Sequence, residues 1–354
     1  MGERALDPRL EAIKSSGANI YSYSKLSTID ECAYDAYLTY VKHDRGIHNI
    51  YDIFGTCFHD KLEEIINGTS SESDLMPVLR STLDEMDMIG IDFPKDYKGG
   101  SGIRDKWISN MELFCRDFTK PQGRFKTEQL LILKLNDKRY LQGYADLIKY
   151  YEDGSVQVLD WKTSSQFKTE DLLHYGRQLV AYSMALEQEG YVVKPPAWIM
   201  LKYVQVSWSS TKTKGILPVT KICDRCKLAH TIAPIVKDKM HKFGYNEESI
   251  SSCLDKFQLS NSLESLPNKI KNEFEVKTYV REYKLTDDIK GECIDYINRT
   301  ADKFEAMQKS GCWCPMNISP QNEFKCINLC SHRKDCFALK KYLESKNNTG
   351  YFSI

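Results

Sequence analysis

From Thr127 onward the hydrophobic period of the chain changes, and this change constrains the fold more than any other feature of the sequence. TEQLLILKL, YLQGYADLIKYY and SVQVLDWKT are short, apolar-rich runs separated by turn signals at Asn136-Asp137 and Asp153-Gly154, which predicts a three-stranded meander. Thr169 to Glu189 then distributes Leu172, Leu173, Leu179, Val180, Ala185 and Leu186 as a buried helix does, with Gly190 at its end, and Trp198 to Val206 reads as a further strand. Strands and helix together imply an α/β sandwich around a central mixed β-sheet.

The flanks are mostly helical. Ser27 or Thr28 is placed to cap a helix carrying Ile29, Cys32, Tyr37 and Tyr40, with Cys32 in its first turns. Phe54, Phe58, Leu62 and Ile65 recur at helical spacing, beside His59, in a segment that stops at Asn67-Gly68. Residues 69–125 continue as helices and polar loops, with LMPVLRSTLDEM and WISNMELFCRDF as the helical pieces. Glu275 to Thr286 alternates as a strand, and Thr286-Asp-Asp opens a helix through Ile289, Ile294, Ile297, Ala301 and Phe304. The expected organisation is an N-terminal helical segment over 1–50, a core over 51–206, a basic and helical region with a further strand over 207–310, and a cysteine-rich segment over 311–354.

Charge and composition bear on partners. Lys+Arg and Asp+Glu are both 49, which disfavours a wholly basic nucleic-acid binder. Between Lys194 and Lys242, however, ten Lys/Arg stand against Asp224 and Asp238, an excess of eight, so that segment is the expected polyanion surface, lining the path of a strand. Met1 to Leu10 lacks the apolar run of a signal peptide, and no later run approaches the roughly 18 apolar residues that a membrane span requires. A cytoplasmic protein is expected, and in a reducing compartment its twelve cysteines are buried hydrophobes or metal ligands rather than disulfides.

Two places concentrate chemistry. Asp146 and Asp160 lie in successive strands that a hairpin at Asp153-Gly154 brings together, and Lys162 shares a strand face with Asp160. Paired carboxylates suit a hard divalent cation that polarises a phosphoryl oxygen and activates water, and the lysine beside them can position or help deprotonate that water, or stabilise the charged phosphate. Gln178 and Tyr182, four residues apart, share one face of the following helix and can brace the site or touch a nucleic-acid backbone. The second place is the C-terminal segment, where Cys312, Cys314, Cys326, Cys330 and Cys336 fall within 25 residues that also hold Pro315 and Pro320. So many cysteines in an irregular stretch point to metal ligation rather than packing. Cys223-Asp-Arg-Cys226 has the spacing of half a zinc site or of a redox pair, but with no second CxxC beside it the pair reads as packing rather than ligation.

A bare Asp-x-Lys is an ordinary surface pair. Here Gly55-x3-His59, Gly143-Tyr-Ala-Asp146, Asp160-Trp-Lys162 and Gln178-x3-Tyr182 occur in order, and as a set they resemble the motifs of the RecB-like branch of the PD-(D/E)XK nucleases. The resemblance implies a restriction-endonuclease-like core in which His59, Asp146, Asp160 and the backbone carbonyl of Trp161 bind Mg2+ or Mn2+ and Lys162 is the catalytic lysine. Ala145 stands where the superfamily name has proline, a common departure in this branch.

Members such as AddB-type helicase–nucleases and the CRISPR-associated adaptation exonucleases also bind a 4Fe-4S cluster, and Cys32 with Cys326, Cys330 and Cys336 resembles that ligand arrangement. The usual CxxC is here Cys326-x3-Cys330, which leaves Cys312 and Cys314 as competing ligands and zinc with His332 as the alternative metal. The implied activity is metal-dependent DNA exonucleolysis on single strands or duplex ends, in replication, recombination or repair, with a helicase or recombination partner. A structure-specific endonuclease, a non-catalytic DNA-end-binding module and a cysteine-rich redox or zinc protein are the alternatives. The complete His-Asp-Asp-Lys set argues against the non-catalytic one.

Overall fold

The computed structural model describes residues 7–96, 100–209 and 218–348. The N-terminal part contains α1 (Pro8–Ser15), β1 (Asn19–Ser22), α2 (Tyr23–Glu31), α3 (Ala33–Tyr40), α4 (Ile50–Asn67), α5 (Leu75–Ile89) and α6 (Gly102–Asp117). The centre is β2 (Arg124–Asn136), β3 (Arg139–Tyr150), β4 (Val156–Lys162), α7 (Leu172–Gln188) and β5 (Ala197–Trp208). Then follow β6 (Val219–Asp224), α8 (Leu228–Lys242), α9 (Glu247–Ser260), α10 (Asn268–Lys271), β7 (Phe274–Glu282), α11 (Asp287–Ser310), a π-helical turn at Lys325–Leu329 and α12 (Phe337–Asn348).

Seven strands form one mixed sheet. One edge of β3 pairs with β2 over its length, while the other carries β1 in parallel at its start and β4 antiparallel at its end. β5 is organised the same way, with β7 along one edge and β4, then β6, along the other. The β3–β4 hairpin turns at Gly154, whose φ of 80° is costly for any residue with a Cβ. The meander, the helix after it and the next strand therefore stand where the sequence pattern places them, and the architecture is an α/β sandwich with a restriction-endonuclease-like core.

Three apolar clusters hold the layers. α2, α7 and α11 pack with the sheet around Val180, Trp198, Tyr296 and Ile297. α4, α5 and α6 pack with it around Phe54, Phe58, Leu62, Trp107 and Trp161. The outer half of β5, with β7, α8 and α9, closes a third cluster around Val206, Ile232 and Phe257. α4 shows the local logic. Asn49 and Asp52 form a capping box at its start, Phe54, Phe58 and Leu62 are fully buried along one face, and Gly68 ends it at φ 79°. Each of those side chains contributes about 1.5–3 kcal/mol by leaving water.

The N-terminal reading needs correction. Asn19–Ser22 is a strand paired with Arg139–Gln142, the Ser22 hydroxyl rather than Ser27 or Thr28 caps the helix, and the single expected helix is two, α2 and α3. Cys32 sits at the break with extended backbone (φ −151°, ψ 106°) instead of inside a first turn. The long-range pairing of β1 pulls the start of the segment into the sheet, which local helical pattern does not report. Among the described residues no helix is long and apolar enough to cross a membrane.

Candidate active site

The ladder between β3 and β4 pairs Leu147 with Leu159, so one further step brings Asp146 opposite Asp160. From the other layer, α4 delivers His59 to the same place. Its Nε2 lies 2.9 Å from the carbonyl oxygen of Trp161, and its Nδ1 lies 3.2 Å from Oδ2 of Asp146. That same Oδ2 accepts the Trp161 amide at 3.2 Å. Lys162 donates to Oδ1 of Asp160 at 3.0 Å. Oδ2 of Asp160 is buried without a hydrogen-bond partner, because the ammonium, although 2.8 Å away, is not aligned toward it.

These contacts do not balance electrically. Burial pushes the His59 imidazole down from its ordinary value, so it is neutral at pH 7 and carries one N–H, yet both ring nitrogens face acceptors. Burial, and then the charge of Asp160, push the Asp146 carboxyl well up. Burial also pushes Lys162 down, but the Asp160 and Asp146 carboxylates more than offset it, and its ammonium is held above the ordinary value. A neutral histidine against two acceptors, a carboxyl destabilised as its anion and an orphaned buried oxygen are the features of a donor set that fits a divalent cation. The donor atoms of His59, Asp146 and Asp160 do not all lie within 4.8 Å of one another, and the Asp160 carboxylate is paired with Lys162.

The second motif pair acts on the strand carrying Asp146. The amide of Gln178 donates to the Tyr182 hydroxyl at 3.3 Å, and Tyr182 is buried, its hydroxyl pushed up to about 12 chiefly by burial. A Cβ at Gly143 would stand 2.1 Å from that hydroxyl oxygen, so glycine is required here by close approach. At Gly55, by contrast, a Cβ would meet nothing within 4 Å, and packing does not require the glycine.

At the C-terminal segment, Cys32, Cys326, Cys330 and Cys336 line one small cavity, walled by Pro315, Met316, Ile318 and Leu339. The Cys32 sulfur accepts the Met316 amide at 3.4 Å. Burial and Asp35 push the Cys330 thiol up to about 12, and Cys32 and Cys336 act on it as well. Four thiols around a mostly apolar space fit a thiolate-bound metal centre, whose positive charge would deprotonate them. Cys312 and Cys314 are exposed, with sulfurs 3.7 Å apart, and are not part of that lining. Beside the cavity the buried His332 places Nδ1 2.6 Å from Asp35 and Nε2 3.1 Å from the Asp44 carbonyl. Asp35, Cys330 and His332 offer three donor atoms within 4.8 Å of one another. Cys223 packs at the third cluster, and the Cys226 amide binds the Asn110 side chain at 3.0 Å.

Among the described residues of the basic segment 194–242, several cations are engaged within the protein. Lys239 is buried against Glu273, Arg225 is buried within the sheet, and Lys194, Lys237 and Lys242 pair with Asp153, Glu247 and Asp238. Lys212 and Lys214 lie outside the described residues. Lys202 lines a cavity that also takes in Thr163, the residue after Lys162. Sequence reasoning singled out none of Lys202, Arg225 or Asp35.

No curated protein matches the chain. A model of the PD-(D/E)XK nuclease superfamily matches residues 20–317, from β1 through α11 into the cysteine-rich segment, and so takes in every strand of the sheet and the whole His59–Asp146–Asp160–Lys162 constellation. Proteins of that superfamily are generally nucleases that use divalent metals, which implies DNA as the substrate and suggests metal-dependent cleavage. On a match of this extent, the chain belongs to the PD-(D/E)XK nuclease superfamily.

Proposed function

We propose that the chain is a Mg2+- or Mn2+-dependent DNA exonuclease acting on single strands or duplex ends. The observation that carries the reading is the convergence of His59, Asp146, Asp160 and the Trp161 carbonyl from two layers of the fold, with Lys162 beside them. His59, Asp146, Asp160 and that carbonyl would hold the cation, which when bound supplies phosphoryl polarisation and a water of lowered pKa. Lys162 keeps its proton at neutral pH. Its ammonium therefore serves as a donor, orienting the attacking water and stabilising the negative charge that grows on the phosphate oxygens. Asp160 holds the ammonium in place, and the phosphate of a substrate would compete with that carboxylate for it. Tyr182, braced by Gln178, fixes the strand from Gly143 to Asp146.

In this reading Cys32, Cys326, Cys330 and Cys336 bind a 4Fe-4S cluster that staples the break between α2 and α3 to the C-terminal segment. The grouping of Asp35, Cys330 and His332 favours zinc as the second reading of that site. The protein works in the cytoplasm on DNA in replication, recombination or repair, beside a helicase or recombination partner. End-labelled linear DNA and circular single-stranded DNA, digested with each divalent metal in turn, test the activity. Linear strands are shortened and circles survive. Cleaved circles would instead support a structure-specific endonuclease, and binding without any cleavage would leave a DNA-end-binding module.

A further inference from the structure

β5 leaves its ladder at one point. Its register against β7 stops at Met200↔Tyr279 and resumes at Val204↔Thr278, so Leu201, Lys202 and Tyr203 form a bulge in the pairing with β7. Arg225 replaces the lost bonds: its Nε donates to the Leu201 carbonyl at 2.5 Å and its Nη2 to the Thr278 hydroxyl at 2.6 Å. A buried guanidinium is an expensive way to hold a sheet together, and bulges beside functional sites re-aim side chains.

The bulge carries Lys202. It lines a cavity of about 840 Å3 bounded by Thr163, Ser164 and Ser165, directly after Lys162, and by Phe324 and Lys325 from the cysteine-rich segment. Lys202 is only 8% exposed, yet among the described residues its ammonium makes no hydrogen bond or ion pair. Of the other charges on the cavity wall, Lys106 pairs with Asp224 at 3.0 Å and Lys325 with Glu31, while the Asp52 carboxylate accepts from the neutral Asn49 amide at the start of α4. Burial, with Lys106 nearby, pushes Lys202 down to about 8, and the Asp224 carboxylate offsets only part of that.

We propose that this cavity seats the terminal phosphate of a nucleic-acid strand, with the Lys202 ammonium as its counter-charge and the hydroxyls of Thr163, Ser164 and Ser165 as further donors. The proposal rests on the nuclease reading above and deepens it. The volume suits a whole nucleotide as well as its phosphate. A strand end held there lies next to the loop that follows Lys162, and a circle has no such end to offer.

The test is equilibrium binding of internally labelled single strands in Ca2+, with 5′-phosphate, 5′-hydroxyl, 3′-phosphate and 3′-hydroxyl ends compared. One phosphorylated end binds about tenfold more tightly than its hydroxyl counterpart, the worth of one charged hydrogen-bonded pair. In Lys202→Met and Lys202→Gln that ratio falls to about one, while Lys202→Arg, which keeps the charge, retains a preference. Two neutral variants guard against one failing to fold. A wild-type protein without preference for any phosphorylated end, or a folded Lys202→Met with the wild-type ratio, overturns the proposal. Metal-dependent digestion of the same strands separates the two readings. Cleavage indifferent to the terminal phosphate sinks the pocket and leaves the nuclease, whereas phosphate-selective binding without cleavage sinks the nuclease and leaves the pocket.

Discussion

Gly143→Ala adds a single methyl group where the structure has no room for one. The new Cβ would stand 2.1 Å from the Tyr182 hydroxyl oxygen and 2.6 Å from two of its ring carbons, against an ordinary carbon–carbon contact of about 3.5–4.0 Å. The ring must therefore move by roughly 1 Å, and it is buried, packed in the cluster with Leu179 and Ala181, and bonded to Gln178. Overpacking of this kind costs about 1–3 kcal/mol. Loss of the bond to Gln178 adds about 0.5–1.5 kcal/mol if the hydroxyl loses its partner. Because Asp146 lies three residues along the same strand, digestion slows beyond what the loss of folded protein explains. Urea unfolding measures the first effect and turnover on end-labelled DNA the second. The decisive measurement is a double-mutant cycle with Tyr182→Leu, which removes the atoms that clash. If close approach is the reason for the glycine, Gly143→Ala costs less in the Tyr182→Leu background than in the wild type. Equal costs in the two backgrounds, or a Gly143→Ala midpoint indistinguishable from wild type, would refute the reasoning.

Asp160→Ala and Lys162→Ala each abolish metal-dependent cleavage while circular dichroism stays native; turnover surviving in either removes these residues from the chemistry. Lys202 gives a pH signature of its own: its folded-state value, about 8, lies below its ordinary 10.5, so folding disfavours the charged form and that penalty is relieved as pH rises between the two values. Urea midpoints of wild type should rise relative to Lys202→Met across about pH 8 to 10.5, and parallel curves would show that the ammonium has a partner. Cys326→Ser and Cys330→Ser lower the iron and sulfide content of anaerobically purified protein, whereas Cys312→Ser and Cys314→Ser do not; stoichiometric zinc without iron would assign the site to Asp35, Cys330 and His332 instead.

The parts of the fold legible in the sequence are those whose signal is local. β2, β3, β4, α7 and β5 announce themselves by period and turn residues, because each buries a face against its chain neighbours. α4 was legible for the same reason, through Phe54, Phe58 and Leu62. β1 was not, since its partner is Arg139–Gln142, more than a hundred residues away, and nothing in NIYS distinguishes a strand from a polar lead-in to a helix. The break at Cys32 followed from the same missing contact.

Charge was the more misleading signal, and the reason is physical. A count of ten basic residues between Lys194 and Lys242 says that positive charge is present, not that it is free. Lys239 and Glu273 neutralise each other beneath the third cluster, and Arg225 closes the β5 bulge. Neither can meet a phosphate without unfolding what it holds. A buried ion pair of this sort contributes little net stability but is costly to break by removing one partner, so such residues read as structural even where their charge suggests binding. Lys202 differs in one respect that no tally of composition can register: it is buried to a similar degree, and its ammonium has no partner among the described residues. That property arises from a register slip between β5 and β7, strands more than sixty residues apart, so it exists only once the sheet has formed. Among the described residues Lys202 is thus a buried cation without a direct ion pair, and it lines the same cavity as the loop that leads from Lys162.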